Sequence, residues 1–295
     1  MDTMSMDTWP DRPRILISYA YLQGHPSLAK FAGDDLIVDS GAFTAWSLGK
    51  PVQIEKYADY LVENRKYIDH AVALDVIGNW KQSAKNYDRL ANLLAGRVPM
   101  VPIWHIGSPL SEMERLCREY DYVAIGGAVP YAKRPKMLMQ HLIPAHKIAR
   151  DAGVQLHGLG VTGKTAMMRL PWYSADSSGW VSSHRFGSLA LKDARGHEQK
   201  IQFGKPLTHE HRKIIRAYDG DPGRVASPDF CLISKAGEQG RRDREWAGVS
   251  AARSVMFSEV LHRRKHSNPF HVHLVTGGDD YSGWIRDAWN AGTPW

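Results

Sequence analysis

Short apolar runs alternate with helix-like stretches along the first 180 residues, and five of these runs end in aspartate or glycine. Runs of four or five apolar residues between helical segments are typical of buried parallel strands. The alternation predicts consecutive βαβ units, which in a closed barrel place the carboxyl ends of all strands on one face. The residues that end the five runs are Asp39, Asp75, Gly126, Gly127, Gly160 and Asp176.

The strand pattern predicts an α/β protein built as a (β/α)8 TIM-type barrel. We expect a catalytic core of seven strands at 1–180, a basic insertion or subdomain at 181–268, and a closing strand with the C-terminal segment at 269–295. The eighth strand is the apolar run at 269–275. The seven earlier candidates are 15–20, 36–39, 71–75, 100–104, 122–126, 155–160 and 172–176.

The composition fits one barrel with an addition. A length of 295 residues with 43% hydrophobic residues accommodates a barrel of roughly 250 residues. Within the addition, the sequence predicts a hairpin at 185–203 and helices at 209–218 and 245–264. Residues 181–295 carry 18 Lys and Arg against 13 Asp and Glu, so they hold +5 of the net charge of +7. A basic surplus of this kind favours a polyanionic partner.

Several classes of protein are excluded by the same sequence. The two cysteines, Cys117 and Cys231, are too few and too isolated for a disulfide framework or a cysteine-based zinc site. The first residues do not resemble a signal peptide, and no apolar run approaches the length of a membrane span. We therefore expect a cytoplasmic protein without a membrane partner.

Three carboxylates and two glycine-ended strands that meet at one barrel face are typical of an enzyme. Each residue alone also has a structural explanation. An aspartate at a strand end often caps the following helix, and paired glycines relieve crowding where a strand ends. The functional interpretation therefore depends on the whole set.

The set has an order that resembles a known superfamily. Asp39-Ser40-Gly41-Ala42-Phe43 is followed by Leu74-Asp75, Gly126-Gly127, Leu159-Gly160-Val161 and Asp176. This order resembles the tRNA-guanine transglycosylase superfamily over roughly residues 14–180. Those enzymes are (β/α)8 barrels that exchange guanine for a 7-deazaguanine within a nucleic acid.

The resemblance implies roles for individual residues. Asp176 matches the nucleophilic aspartate, and Asp39 matches the second catalytic carboxylate, which serves the leaving and entering bases. Asp75 matches the carboxylate that holds the amino and ring N–H groups of the base. Where the superfamily has a glutamine on the next strand, this chain has Trp104 and His105. The complete base-binding set implied is Asp75, Ser40, Phe43, Gly126, Gly127, Ala128, Leu159, Gly160, Trp104 and His105, with Phe43 and Leu159 stacked on the two faces of the ring.

Departures from the tRNA enzymes favour DNA as the polymer. The cluster of three cysteines and a histidine that binds zinc is absent, and Ser177-Ser178-Gly179-Trp180 follows the nucleophile position. The chain is more similar to the DNA 7-deazaguanine transglycosylases of bacteria and their phages. This similarity implies a pentosyltransferase that acts on double-stranded DNA and a free base such as 7-cyano-7-deazaguanine, in a bacterial cell, without metal or cofactor.

The residue types suit this reaction on chemical grounds. Exchange of a base without backbone cleavage requires attack at the anomeric carbon, for which a carboxylate is a suitable covalent partner. A second carboxylate can donate a proton to the departing base and accept one from its replacement. Two neighbouring acids repel each other, which raises one pKa and separates their roles.

Basic clusters in the C-terminal third are candidates for contacts with the nucleic-acid backbone, although a solvated helix face is the ordinary explanation for such runs. The candidates are Arg185, Arg241, Arg242, Arg244, Arg263, Arg264 and Lys265.

Three other functions remain open from sequence. The first is exchange on tRNA instead of DNA. The second is a metal-dependent hydrolase, because His271 and His273 share one face of a predicted strand and have a metal-ligand spacing. The third is a non-catalytic nucleic-acid-binding protein that depends on the basic C-terminal third alone. That function would leave the aspartates unexplained.

Overall fold

The computed structural model describes residues 9–22, 27–42, 49, 51–76, 78–131, 134–161, 164–181, 186–276 and 279–295. In chain order its elements are β1 (Arg14–Ser18), α1 (Tyr19–Leu22), β2 (Asp35–Asp39), α2 (Ile54–Glu63), β3 (His70–Val72), α3 (Trp80–Leu94), β4 (Met100–Val101), β5 (Ile103–His105), α4 (Leu110–Glu119), β6 (Tyr122–Gly126), α5 (Pro135–Ala152), β7 (Gln155–Gly158), α6 (Lys164–Arg169), β8 (Ser174–Ser177), β9 (Ser188–Lys192), β10 (Glu198–Gln202), α7 (His209–Ala217), α8 (Pro222–Val225), α9 (Ile233–His266), β11 (His271–Thr276) and α10 (Asp279–Asn290).

The chain divides into two compact units. The barrel unit consists of 14–177 with 268–277, and the second unit consists of 1–13, 178–267 and 278–295. The observed boundaries thus lie at 13/14, 177/178, 267/268 and 277/278. Residues 278–295 group with the second unit, although the sequence analysis places them with the closing strand.

The barrel unit contains one parallel sheet in the order β4-β3-β2-β1-β11-β8-β7-β6-β5. Strands β4 and β5 are separated only by Pro102, which has no N–H and therefore interrupts the ladder. The Pro102 carbonyl still accepts a hydrogen bond from Ala124 N at 2.8 Å. The nine segments thus occupy eight strand positions, and the sheet closes through residues 100–105. This confirms the predicted TIM-type barrel, with β11 as its eighth strand.

The barrel interior contains an apolar layer with polar residues on either side. Leu16, Ile37 and Val72 form a buried cluster, and three partly buried side chains pack against it: Ile103, Leu159 and Val275. Side chains from so many strands meet only inside a closed barrel. Because strand residues alternate between faces, Asp35 and Asp39 share the inward face of Ile37.

Helix α2 fixes the spacing of two strand ends. Its buried Tyr57 hydroxyl lies 3.1 Å from Val38 O and 2.9 Å from Val72 O. Asp39 directly follows Val38, and Asp75 follows Val72 by three residues. Tyr57 therefore stabilises the part of the barrel from which both aspartates emerge.

The second unit confirms the predicted hairpin. Strands β9 and β10 pair antiparallel, from Ser188 opposite Gln202 to Lys192 opposite Glu198. The predicted helix at 209–218 corresponds to α7. Helix α9 is longer than the prediction of 245–264, and its helical geometry is interrupted at Gly237. No helix in the described part of the chain is long and apolar enough to cross a membrane.

Candidate active site

The structure brings the three predicted aspartates of the barrel unit together. Asp39 ends β2, Asp75 follows β3, and Asp176 lies near the end of β8. The negative charges of Asp75 and Asp176 both act on Asp39 and help to raise its pKa. The carboxyl ends of three strands that are separated by 36 and 101 residues in sequence thus form one acidic cluster.

Two of these carboxyl groups have raised pKa values. Burial is the main cause for Asp39, followed by the charge of Asp75, and together with Asp176 they raise the pKa of Asp39 to about 7 against opposing backbone hydrogen bonds from Gly41 and Ser40. Burial alone raises the pKa of Asp75 to about 6. A carboxyl group with a pKa near 7 can both donate and accept a proton at neutral pH.

A tight turn after β2 orients Asp39. Gly41 N donates to Asp39 Oδ2 at 2.8 Å, and Gly41 has a φ of 77°. A Cβ atom at this position would lie 2.3 Å from Ser18 Oγ and 2.6 Å from Ala20 Cβ, so no other residue fits. Ser40 is fully buried, and its hydroxyl has no hydrogen-bond partner among the described residues.

Asp176 is held through one of its two oxygens. Its Oδ1 accepts a hydrogen bond from Gly160 N at 2.8 Å, and His157 Nε2 lies 3.4 Å from the same oxygen. Gly160 has a φ of 64°, a conformation that glycine adopts without strain. Both of these contacts are made to Oδ1.

Beneath Asp176 lies a buried polar network that the sequence analysis missed. His157 Nδ1 lies 2.8 Å from Ser174 Oγ, which lies 2.7 Å from the Tyr122 hydroxyl. His157 is 1% exposed and Ser174 is fully buried. The available signal was the spacing of Ser174 and Asp176, which share one face of β8. The position of His157 opposite Ser174 could not be predicted, because it follows only from the register of β7 against β8.

A second polar cluster occupies the barrel interior. His273 Nε2 lies 3.3 Å from Asp35 Oδ1, and Arg14 Nε lies 3.4 Å from Asp35 Oδ2. Burial lowers the pKa of His273, although Asp35 opposes this effect. His271 packs edge-on against Tyr173, with ring centroids 5.0 Å apart. Among the described residues, no group of three His, Cys, Asp or Glu side chains is arranged to hold a metal ion.

Asp75 and His105 line a cavity of about 230 Å³ bounded by residues around β3 and β5 and by α3 and α4. Asp39 and Asp176 are not part of its lining. Burial lowers the pKa of His105 to about 4, so its imidazole is neutral at pH 7. Two buried polar atoms in the lining, His105 Nε2 and Ser108 Oγ, have no hydrogen-bond partner in the described chain. Such atoms require water or a ligand.

The structure separates the two provisional base-binding residues on β5. Trp104 is 1% exposed, and its Nε1 donates to Pro109 O at 3.3 Å. Because a side chain enclosed in this way cannot stack on a ligand, Trp104 is a core residue. His105 lies instead in the cavity lining, where it can contact a ligand.

The remaining base-binding candidates lie at or beyond strand ends. Gly126 ends β6, and its carbonyl accepts a hydrogen bond from Ile106 N at 3.0 Å. Gly127 and the buried Ala128 follow it directly. Leu159 is half-buried and packs on the apolar layer of the barrel. Phe43 lies outside the described residues.

The basic run around residue 242 surrounds one inward-facing acid. Asp243 is 3% exposed and pairs with Arg224 at 2.7 Å. Arg241 is exposed and pairs with Glu238 at 2.9 Å. Arg242 is also exposed and donates to Gln239 at 2.9 Å. The charges of this run are therefore offset to different degrees by nearby side chains.

Arg244 differs from its neighbours because it lines an open cavity of about 490 Å³ within the second unit. Its Nε donates to Cys231 O at 2.8 Å. Phe203 and Phe230 also line this cavity, with ring centroids 4.8 Å apart. A cavity with aromatic walls and a half-buried guanidinium suits a planar group attached to an anion.

The other basic candidates occupy different environments. Arg263 is 2% exposed and lies 3.6 Å from Glu259, and a side chain buried in this way cannot reach a phosphate. Arg264 and Lys265 are exposed at the end of α9. Arg185 lies outside the described residues.

Comparisons with protein-family models, with curated proteins and with solved structures found no match. The fold and the site define an α/β barrel protein with an acidic cluster at the carboxyl ends of its strands. The resemblance to transglycosylases is a resemblance of sequence motifs alone.

Proposed function

We propose that this protein is a base-exchange glycosyltransferase that replaces guanine in DNA with a 7-deazaguanine derivative. The observation that carries the proposal is the cluster of Asp39, Asp75 and Asp176 at the carboxyl ends of the barrel strands. Two of its members have raised pKa values. Perturbed carboxyl groups that converge at this face of a barrel are typical of catalytic sites.

In the first step, Asp176 Oδ2 attacks the anomeric carbon of a deoxyguanosine nucleotide in the DNA. The new C–O bond forms as the C–N bond to guanine breaks, and the electron pair of the broken bond stays on the ring nitrogen. Protonated Asp39 donates its proton to the leaving base. In the second step, Asp39 accepts the N–H proton of the incoming base, whose nitrogen displaces Asp176. Two displacements return the sugar to its original configuration.

The surroundings of Asp39 and Asp176 suit the two carboxyl groups to different roles in the reaction. Asp39 has a pKa of about 7, so both of its protonation states are present at neutral pH. Asp176 accepts a hydrogen bond from Gly160 N at Oδ1, and this contact orients its carboxyl group. An ionised nucleophile beside a proton donor is the arrangement that the first step requires.

Base selection is assigned to Asp75 and His105. An ionised Asp75 accepts hydrogen bonds from adjacent N–H groups, which a guanine-like ring has on one edge. The neutral His105 offers one further donor or acceptor within the same cavity. A ring that leaves these buried groups without a hydrogen-bond partner binds more weakly and is used less efficiently.

We expect Asp75→Asn to reduce kcat/KM for guanine-like bases. Loss of hydrogen bonds to a charged acceptor costs about 1.5–3 kcal/mol, which is about tenfold to 150-fold. Competition kinetics with guanine and a 7-deazaguanine would measure the effect. Asp88→Asn is the matched control, because Asp88 is exposed and lines the same cavity. Unchanged selection in Asp75→Asn would remove Asp75 from base recognition.

Recognition of the polymer is assigned to the second unit. Within this unit, residues 178–267 carry 17 Lys and Arg against 10 Asp and Glu, and Arg244 stands beside aromatic side chains in an open cavity. Counterion release makes binding to a nucleic acid depend on salt in proportion to the phosphates contacted. This dependence provides a test for each basic residue separately.

We expect Arg244→Gln to lower the slope of log K against log salt for DNA binding by about one unit, the value for one phosphate contact. Arg241→Gln is the control on the same helix, and we expect a smaller change because Glu238 already offsets its charge. Binding of free base should stay the same in both variants. An unchanged slope in Arg244→Gln would make this residue part of an ordinary solvated surface.

The decisive test of the function supplies labelled 7-cyano-7-deazaguanine with duplex DNA or with tRNA, and asks which polymer acquires label. Label in DNA that depends on Asp176 supports the proposal. Label in tRNA alone would reassign the polymer while the catalytic assignment is retained. Label in neither polymer would contradict base exchange.

A further inference from the structure

We infer that His157 is a positioning residue that holds the nucleophile Asp176 in its reactive orientation, and that Ser174 and Tyr122 fix its tautomer. This inference rests on the proposed function, because it assigns a further residue to the same reaction. The geometry is a continuous series of contacts from the acidic cluster into the barrel. The distances are 3.4 Å from Asp176 Oδ1 to His157 Nε2, 2.8 Å from His157 Nδ1 to Ser174 Oγ, and 2.7 Å from Ser174 Oγ to the Tyr122 hydroxyl.

The direction of each hydrogen bond follows from the groups involved. An ionised Asp176 only accepts hydrogen bonds, so His157 Nε2 must carry a proton when it serves this carboxylate. In the neutral imidazole, Nδ1 is then an acceptor, and the Ser174 hydroxyl donates to it. Ser174 Oγ can in turn accept from Tyr122. Burial raises the pKa of Tyr122, which keeps its phenol protonated as a donor.

Two further side chains lie near His157. The ring of His273 has its centroid 5.9 Å away, and His273 itself faces Asp35. The Tyr122 hydroxyl is 3.3 Å from His157 Nδ1, longer than its contact with Ser174. Strand register also supports the arrangement, because His157 lies opposite Ser174 in adjacent parallel strands. His157 Nδ1 is thus paired with Ser174, whereas the buried Nε2 has no hydrogen-bond partner among the described residues and faces Asp176 Oδ1 at 3.4 Å.

The consequence for catalysis concerns which oxygen of Asp176 reacts. Gly160 N and His157 both contact Asp176 Oδ1. Together they fix the plane of the carboxylate, so that Oδ2 faces away from the network. The separation of 3.4 Å between His157 Nε2 and Asp176 Oδ1 is long for a hydrogen bond, but catalytic contacts often shorten when the substrate is bound. A second residue that orients the reactive group through a hydrogen bond is a common feature of covalent catalysis.

The kinetic test measures the rate at which a protein–DNA adduct forms in a single turnover. We expect His157→Ala to lower this rate by about tenfold to a hundredfold, by analogy with the loss caused by replacing residues that orient the ligands of a catalytic metal. The dissociation constants for DNA and free base should stay within about twofold of wild type. His157→Gln can place an amide N–H near Asp176 Oδ1, so it should recover part of the rate. Tyr122→Phe should have a smaller effect than His157→Ala.

His146→Gln is the matched control. His146 is also a buried histidine of the barrel unit, 6% exposed, but it contacts Leu142 O and Trp172. A general loss of packing would slow both histidine variants. Slow adduct formation in His157→Ala with a normal rate in His146→Gln supports the inference, whereas a wild-type rate in His157→Ala overturns it.

A second measurement needs no substrate. NMR of nitrogen-labelled histidine should show His157 as the Nε2–H tautomer in wild type, with a mixture of tautomers in Ser174→Ala. An Nδ1–H tautomer in wild type would overturn the inference even if exchange occurs. If the Nε2–H tautomer is found and wild type labels neither polymer, the base-exchange function fails while the contact between His157 and Asp176 is upheld.

Discussion

Asp176→Asn is expected to abolish base exchange and the covalent protein–DNA adduct while the fold is retained. Loss of a covalent nucleophile lowers turnover by about 10⁴-fold or more. The asparagine Oδ1 can still accept the Gly160 N–H, so the loop after β7 keeps its anchor. The amide cannot form the ester with the sugar that the first step requires. Substrate binding should therefore change much less than turnover.

The measurement is adduct formation with labelled DNA, detected after denaturation. Asp39→Asn is the informative comparison, because Asp39 is assigned proton transfer instead of attack. We expect it to slow adduct formation but to leave the adduct detectable. An adduct that persists in Asp176→Asn and disappears in Asp39→Asn would exchange the two roles.

The barrel could be predicted from sequence because its signal is local. Apolar runs and the turn after Asp39 depend on neighbouring residues, and each predicted strand of the barrel corresponds to an observed one. The effect of Pro102 could not be predicted from the neighbouring residues. It divides one strand position into β4 and β5, and a break of this kind obscures which of Trp104 and His105 faces the interior. The structure buries Trp104 as a core residue and places His105 in the cavity lining.

Contacts between strands were the part that sequence could not supply. The relation of His157 to Asp176 depends on the pairing of β7 with β8, and one residue of register would turn the histidine to the other face. It is equally difficult to predict from sequence which residues of α9 lie on its buried side. Arg263 and Arg264 are adjacent in sequence, yet the first is buried near Glu259 and the second is exposed. Charge runs alone do not distinguish such positions.

The boundary after β11 was also invisible in the sequence. Gly277-Gly278 follows the apolar run at 269–275, but a Gly-Gly pair marks a turn or loop and does not by itself mark a change of unit. The structure nevertheless groups 278–295 with the second unit. Within that unit, Trp289 Nε1 donates to Pro10 O at 2.7 Å. Contacts between residues at the two ends of a chain cannot be predicted from the neighbouring sequence.

The acidic cluster should make the protein less stable as the pH rises from about 4 to about 7. Unfolded Asp39 loses its proton near its ordinary pKa of 3.8, whereas folded Asp39 keeps it until about pH 7. Between these values the folded state binds more protons than the unfolded state, so the free energy of unfolding falls as the pH increases. Above about pH 7 this contribution levels off, because Asp39 is then ionised in both states.

Asp39→Asn should remove the part of this decline that Asp39 causes, because an asparagine has no proton to lose. The shift from 3.8 to about 7 corresponds at most to about 4 kcal/mol, and we expect about 2–4 kcal/mol because the Asp39 side chain is only half-buried. Urea unfolding at about pH 4.5 and pH 8 would measure the free energy of unfolding of both proteins. We expect the variant to be more stable relative to wild type at pH 8 than at pH 4.5. The side-chain oxygen of the introduced asparagine can still accept the Gly41 N–H, so the turn survives. Asp88→Asn, an exposed control, should show no such gain. An equal difference at both pH values for Asp39→Asn would mean that Asp39 ionises in the fold without penalty, and its assignment as the proton donor at neutral pH would be wrong.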